Sequence, residues 1–193
     1  ASGSLLVRSS SALKPTHHWL DYASVTTTEN FVLCAAAADG ESSLTNAASE
    51  PHVQEFCRFM AMMGADIDGI GTSRLTVRGG KPLGGGEFTF EEDFHEITTF
   101  LALGAITGGD VVVRNRTPGN FPLIDRTFAK FGVQIEHKDG WSRALRSGPL
   151  KVQTPFTSNV LTKVEAAPWP YFPVDLLPIF IALGAVSYTH LTL

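Results

Sequence analysis

Cysteine is scarce in this sequence, basic runs are missing, and no apolar stretch is long enough to span a bilayer. Only two cysteines occur. Cys34 lies in the apolar run 32–36 and Cys57 between Phe56 and Arg58. Both stretches read as helical, where a free thiol packs as a small hydrophobe, so neither is expected to be a disulfide partner or a nucleophile. Lys and Arg total 15 against 19 Asp and Glu, a net charge of -4. With no basic run longer than a pair, the chain offers no field for nucleic acid or for an anionic membrane surface. Its apolar segments fall short of the roughly 18 unbroken residues of a membrane span. The Ser-rich start lacks the charged head and apolar block of a signal peptide, so the expected compartment is a reducing cytoplasm. His17 and His18 have no acidic or cysteine partner at ligand spacing; they read as loop residues, and neither a metal nor any other cofactor is expected. What remains is 44% hydrophobic and 18% charged, a composition that folds into one or two globular domains.

Internal repetition decides the architecture. Residues 30–46 (NFVLCAAAADGESSLTN) are followed by a segment that opens at Glu50 and Pro51 and ends at Gly64, then by a glycine turn and the strand-like residues 74–79. Residues 99–115 (TFLALGAITGGDVVVRN) are followed by a segment from Pro118 to Gly132, then by a hairpin around Asp139 and Gly140. Asn46 recurs as Asn115 and Gly64 as Gly132, so the phase holds. Each stretch reads as an apolar helix, a glycine C-cap, a short strand, an amphipathic helix ending at glycine, and a hairpin. The fold class is therefore α/β, built from β-α-β-α-β-β units. The run FLALGA at 100–105 returns as FIALGA at 180–185, and a third unit begins near Asp175. Residues 186–193 do not supply the strand that should follow; they resemble translated adaptor read-through and are expected to be a non-native tail. The cluster Gly79, Gly80, Pro82, Gly84, Gly85 and Gly86 marks a boundary near Phe90. It lacks the Lys-Ser/Thr sequel of a phosphate loop and reads as a hinge or tight turn.

Two places could carry chemistry. Residues 24–30 (SVTTTEN) sit at the start of an Ala-rich helix, where hydroxyls and unpaired N–H groups meet the positive end of the helix dipole. Such a place binds phosphate, or is simply an N-cap with Glu29 in the first turn. Asp175 follows the proline-rich segment 168–174 and precedes an apolar helix. It is either a helix cap or a carboxylate that a rigid, extended approach holds for proton transfer. The proline-aromatic run could also read as a polyproline ligand, but it abuts an apolar helix and is expected to be fixed within the fold. Glu50, before Pro51, is a first-turn acid or a cleft residue.

The segments 24–30, 44–51 (LTNAASEP), 63–72 (MGADIDGIGT) and 167–175 (APWPYFPVD), in that order, resemble successive signatures of UDP-N-acetylglucosamine 1-carboxyvinyltransferases. The resemblance runs from about Leu20 to Ala185; the signatures of the related shikimate-pathway enolpyruvyl transferases are not apparent. It implies an inside-out α/β barrel of two lobes, each of three β-α-β-α-β-β copies with helices inside and sheets outside. Residues 1–90 would end one lobe and 91–185 start the other. It also implies an enzyme that transfers enolpyruvyl from phosphoenolpyruvate to the 3-hydroxyl of UDP-N-acetylglucosamine. Tyr22, Ala23, Ser24, Val25 and Thr26 would touch the nucleotide diphosphate and sugar, Glu50 would line the cleft, and Asp175 would be the general base. Asp93 resembles an aspartate at the lobe junction, with a bridging task.

Three positions depart from the pattern: Ser49 stands where arginine is common, His52 replaces a glutamate, and Phe94 replaces an arginine. These departures leave room for a divergent paralogue, or for a non-catalytic UDP-sugar-binding protein of the same fold. The family's Lys-Asn pair, its mobile Cys- and Arg-bearing loop and its C-terminal arginine lie outside this segment, so these residues alone are expected to be an inactive internal fragment.

Overall fold

The helix and strand periods of the sequence are laid out in space by a computed structural model, which describes residues 12–146, 148–153 and 162–187 together with Gly3 and Leu6. Most of the tail expected at 186–193 therefore lies outside the described residues. The chain divides into two compact units, Ala1–Thr89 and Phe90–Leu193.

In the first unit, β1 (His17–Trp19), α1 (Val25–Ala37), β2 (Gly40–Thr45), α2 (Pro51–Met62), β3 (Asp66–Asp68) and β4 (Arg74–Gly79) follow the expected order. The sheet runs β1-β2-β4-β3; β1 is parallel to β2 and the other neighbours are antiparallel. Period-two alternation buries Leu75 and Val77 of β4 opposite Leu44 and Ser42 of β2, leaving Arg78 outside to pair with Glu41, Asp66 and Asp68. The helices cover the inner face with Val32, Ala35, Val53, Cys57 and Met60, in one cluster with Leu44, Leu75 and Val77. Burial pushes the Cys57 thiol up to about 11. Cys34 is instead exposed on α1, against expectation, because the buried stripe of that helix runs through Thr28, Val32, Ala35 and Ala36.

Other local expectations need correcting. His17 and His18 form strand β1 rather than a loop, and the His17 ring meets Ser43 Oγ at 2.8 Å. The C-cap of α1 is Ala38, not glycine; Gly40, at φ 127°, opens β2. The second helix does end as expected. Gly64 takes a positive φ, its N–H donates to Ala61 and the next N–H to Met60, the pairing of a Schellman motif.

In the second unit, α3 (Phe94–Thr107), β5 (Val112–Arg114), a 3-10 turn (Pro118–Asn120), α4 (Pro122–Ala129), β6 (Val133–Lys138) and β7 (Trp141–Arg146) are followed by α5 (Leu177–Ala185). The antiparallel sheet runs β5-β7-β6. Asp139 and Gly140 both have positive φ, as a two-residue hairpin between β6 and β7 requires. Gly108, at φ 69°, is the glycine C-cap expected after α3. Phe94, Leu101, Phe121, Phe128, Leu176 and Phe180 belong to one buried cluster.

This repeat lacks its leading strand: no strand forms between Gly79 and Phe94. Glycines, Pro82 and clustered acids disfavour a ladder there. Residues 90–92 are instead tied beside β5 by side chains. Glu92 accepts from the Arg116 N–H and, at 2.7 Å, from its guanidinium, which also reaches the Phe90 carbonyl. Although burial raises it, the Glu92 carboxyl is held below its usual range by these Arg116 contacts.

Candidate functional site

In the first unit, Ser24 starts α1 from an extended backbone, and its Oγ accepts the Thr27 N–H at 3.3 Å. The N-cap is therefore real, but Glu29 falls beyond the first turn, which holds no acid. Tyr22 is 65% exposed; Ala23, Ser24 and Val25 are half-buried and Thr26 is exposed.

Glu50 joins the same end of this unit through a residue the sequence did not single out. Thr28, fully buried one turn into α1, donates to the Ser24 carbonyl at 2.7 Å and accepts the Ala48 N–H at 3.0 Å. Asn46, at φ 62°, donates to the Leu20 carbonyl. The turn before α1 and the loop before α2 are thereby stitched side by side. Glu50 occupies the N-cap position of α2 but makes no capping bond, and its Oε2 is buried with no hydrogen-bond partner. Glu50 thus stands one residue before the first turn in which the sequence reading placed it. Ser49 offers its carbonyl to Gln54, and His52 lies half-buried on α2.

In the second unit, Asp175 stands in a short 3-10 turn, Val174–Leu176, that leads into α5. Neither this turn nor α5 has a side-chain cap. The carboxylate is exposed, and among the described residues it has no hydrogen-bond partner, so the capping alternative does not apply. Its approach is a closed turn rather than the extended arm expected: the Tyr171 N–H donates to the Pro168 carbonyl and the Ala167 N–H to the Phe172 carbonyl, both at 3.1 Å. Proline fixes its own φ, but the residues around it still satisfy their backbone groups locally. Phe172 and Leu176 are buried on either side of Asp175. Asp93 caps α3, accepting the His95 N–H at 2.8 Å, and Phe94 is buried beneath it.

A second polar cluster in this unit went unread in the sequence. The Thr117 N–H donates to Asn115 Oδ1, which turns Asn115 Nδ2 toward Ser142 Oγ at 2.8 Å. The Ser142 hydroxyl then faces His137 Nδ1 at 2.6 Å, and His137 Nε2 faces Asp125 Oδ2 at 3.0 Å. Burial pushes the Asp125 carboxyl above its usual range, against the pull of His137, and Asp125 Oδ1 is buried without a partner. Ser142 is only 1% exposed and is not placed to attack a substrate. A groove of about 980 Å³ lined by Gly104, Gly108, Gln134, Arg143 and Arg146 contains none of the site residues expected from the sequence. Among the described residues no helix is long and apolar enough to cross a membrane, and no cluster of three metal-ligating side chains occurs.

A two-unit α/β chain of this kind has recognisable kin. The sequence model of the family EPSP synthase (3-phosphoshikimate 1-carboxyvinyltransferase) matches residues 2–188, and the chain belongs to that family. Within it, the chain is 37% identical over 163 residues to a UDP-N-acetylglucosamine 1-carboxyvinyltransferase of Borreliella burgdorferi, covering 84% of this chain and 38% of that protein. The enzyme of that name from Treponema pallidum is 39% identical over 171 residues, covering 86% and 39%. Its counterpart in Aeromonas hydrophila is 34% identical over 185 residues, covering 96% and 42%. The chain thus spans about two fifths of the length of these relatives. Among solved structures, the enolpyruvyl transferase NikO from Streptomyces tendae superposes with a TM-score of 0.72 at 19% identity, over 90% of this chain and 42% of that one. EPSP synthase from Acinetobacter baumannii gives 0.52 at 21% identity, over 72% and 33%. These likenesses establish the enolpyruvyl transferase fold.

Proposed function

We propose that the complete protein transfers the enolpyruvyl group of phosphoenolpyruvate to the 3-hydroxyl of UDP-N-acetylglucosamine with release of phosphate, in the cytoplasm, as the first committed step of peptidoglycan synthesis. The observation that carries this reading is the Asp175 carboxylate: it closes one of the two segments most specific to the resemblance, 24–30 and 167–175, is exposed, and caps nothing. In the reaction it takes the proton from the sugar hydroxyl as the oxygen adds to the enolpyruvyl carbon and the neighbouring methylene carbon gains a proton to become methyl; it later assists loss of a methyl proton as phosphate leaves and the double bond re-forms. The turn of Tyr22, Ala23, Ser24, Val25 and Thr26 receives the diphosphate and sugar at the start of α1, where free N–H groups favour negative charge. Glu50, with its unpartnered buried oxygen, lines the substrate side as an acceptor.

The reading extends to architecture. The two units are the end of one lobe and the start of another in an inside-out barrel, helices within. Leu33 on α1, Phe100 and Leu103 on α3, and Ile181 on α5 are exposed apolar side chains, the kind of helix face that further units of a lobe would cover. The groups that grip the phosphate of phosphoenolpyruvate lie outside these 193 residues, so this polypeptide alone releases no phosphate above blank.

The buried Phe94, where the resemblance expects arginine, favours a second reading in which the same chemistry serves a different UDP-sugar, or in which the protein binds a UDP-sugar without turnover. The full-length protein decides. Incubated with phosphoenolpyruvate and UDP-N-acetylglucosamine, it is expected to release phosphate in step with an enolpyruvyl ether seen by proton NMR. Release only with another UDP-sugar selects the paralogue, and binding without release selects the binder.

A further inference from the structure

We propose that Trp169, seated against Phe94, is a positioning residue for Asp175: the aromatic pair pins the tip of the loop that carries the carboxylate. The inference rests on the reading of Asp175 as the general base.

The loop is anchored at one end only by its own backbone and core side chains. The bond from the Ala167 N–H to the Phe172 carbonyl closes its base, and the bond from the Tyr171 N–H to the Pro168 carbonyl closes its turn. Phe172, 3% exposed, meets Phe180 of α5 edge to face at 5.3 Å, and Leu176 is fully buried. Asp175 therefore sits between two core anchors, yet the direction in which its carboxylate points depends on how the preceding turn is held.

That turn has little to hold it. Pro168, Pro170 and Tyr171 are exposed. Trp169 is the half-buried exception, and its ring lies 6.1 Å from that of Phe94, tilted by 46°. This spacing is within the range of a favourable aromatic pair. Phe94 is itself rigid: it is 3% exposed, opens α3 directly after the Asp93 cap, and lies 4.0 Å from the His95 ring. Trp169 lies outside the buried cluster that holds Phe94 and Phe172, so its contact fastens a loop to a helix start rather than filling the core. The pairing also gives Phe94 a task. A cation at that position would present the loop with no apolar face to rest on.

A misplacement of about 1 Å at a proton-transfer group costs on the order of a hundredfold in rate. In the full-length protein, Trp169→Ala is expected to lower kcat by about ten- to a hundredfold while the KM for UDP-N-acetylglucosamine stays within about twofold, and Trp169→Phe to restore most of the rate. In an Asp175→Asn background, Trp169→Ala is expected to have no further effect, because the group it positions is gone. Circular dichroism melts establish that each variant folds, and Trp169→Leu serves the same comparison if the alanine variant does not. An unchanged kcat, or an equal loss with and without the Asp175 carboxylate, overturns the proposal. A parent protein without turnover overturns instead the functional reading on which it rests.

Discussion

Asp125 bears an electrostatic cost. One of its oxygens is buried without a partner, the other meets His137, and burial raises its pKa. A carboxyl whose folded-state pKa lies above its unfolded value favours the native state only while protonated. That contribution is complete below the unfolded value of about 3.9 and is lost as pH rises through the raised one. Asp125→Asn removes the penalty and keeps an oxygen to accept from His137. The difference in melting temperature between this variant and the parent should therefore move in the variant's favour between about pH 4 and pH 7; a flat or reversed trend in circular dichroism melts contradicts this account. The residue scale is also where the sequence was least transparent. Ser24 as an N-cap was legible because its partner, the Thr27 N–H, is three residues away. The chain through Asn115, Ser142, His137 and Asp125 joins positions separated by 27, 5 and 12 residues, and no local pattern brings them together. Thr28 was hidden for the same reason: its second bond reaches Ala48, 20 residues away.

At the scale of elements, period and punctuation were informative. The hairpin at Asp139 and Gly140, the helix ends at Gly64 and Gly108, and the element order of the first unit from α1 onward follow from turn chemistry and alternation. The strand missing before α3 and the closed turn before Asp175 did not: the first segment is tied by Arg116, 24 residues from Glu92, and the second folds onto its own Pro168 and Phe172 carbonyls where its prolines read as extended. One glycine shows how closely elements meet. A Cβ on Gly79 would stand 2.1 Å from the Ala35 carbonyl and 2.3 Å from that of Ala38. Both are backbone atoms at the end of α1, so neither can turn aside. Gly79→Ala should destabilise the protein by about 3 kcal/mol through overpacking, read as a lower urea midpoint at unchanged slope. An unmoved midpoint would show that β4 and α1 are not locked together there.

For the molecule as a whole, the chain belongs to the EPSP synthase family and spans about two fifths of the length of its relatives. Repetition made the α/β class readable, since helix, strand and glycine turn recur along the chain. On the proposed reading substrate identity was less readable, because it would turn on single side chains such as Ser49, His52 and Phe94. The claim on which the functional account stands is that the Asp175 carboxylate moves protons. Its most direct test is kcat for phosphate release by the full-length protein and its Asp175→Asn variant, with both substrates saturating. The account predicts a loss of about a hundredfold or more in a variant that still folds and binds UDP-N-acetylglucosamine; turnover near that of the parent would contradict it.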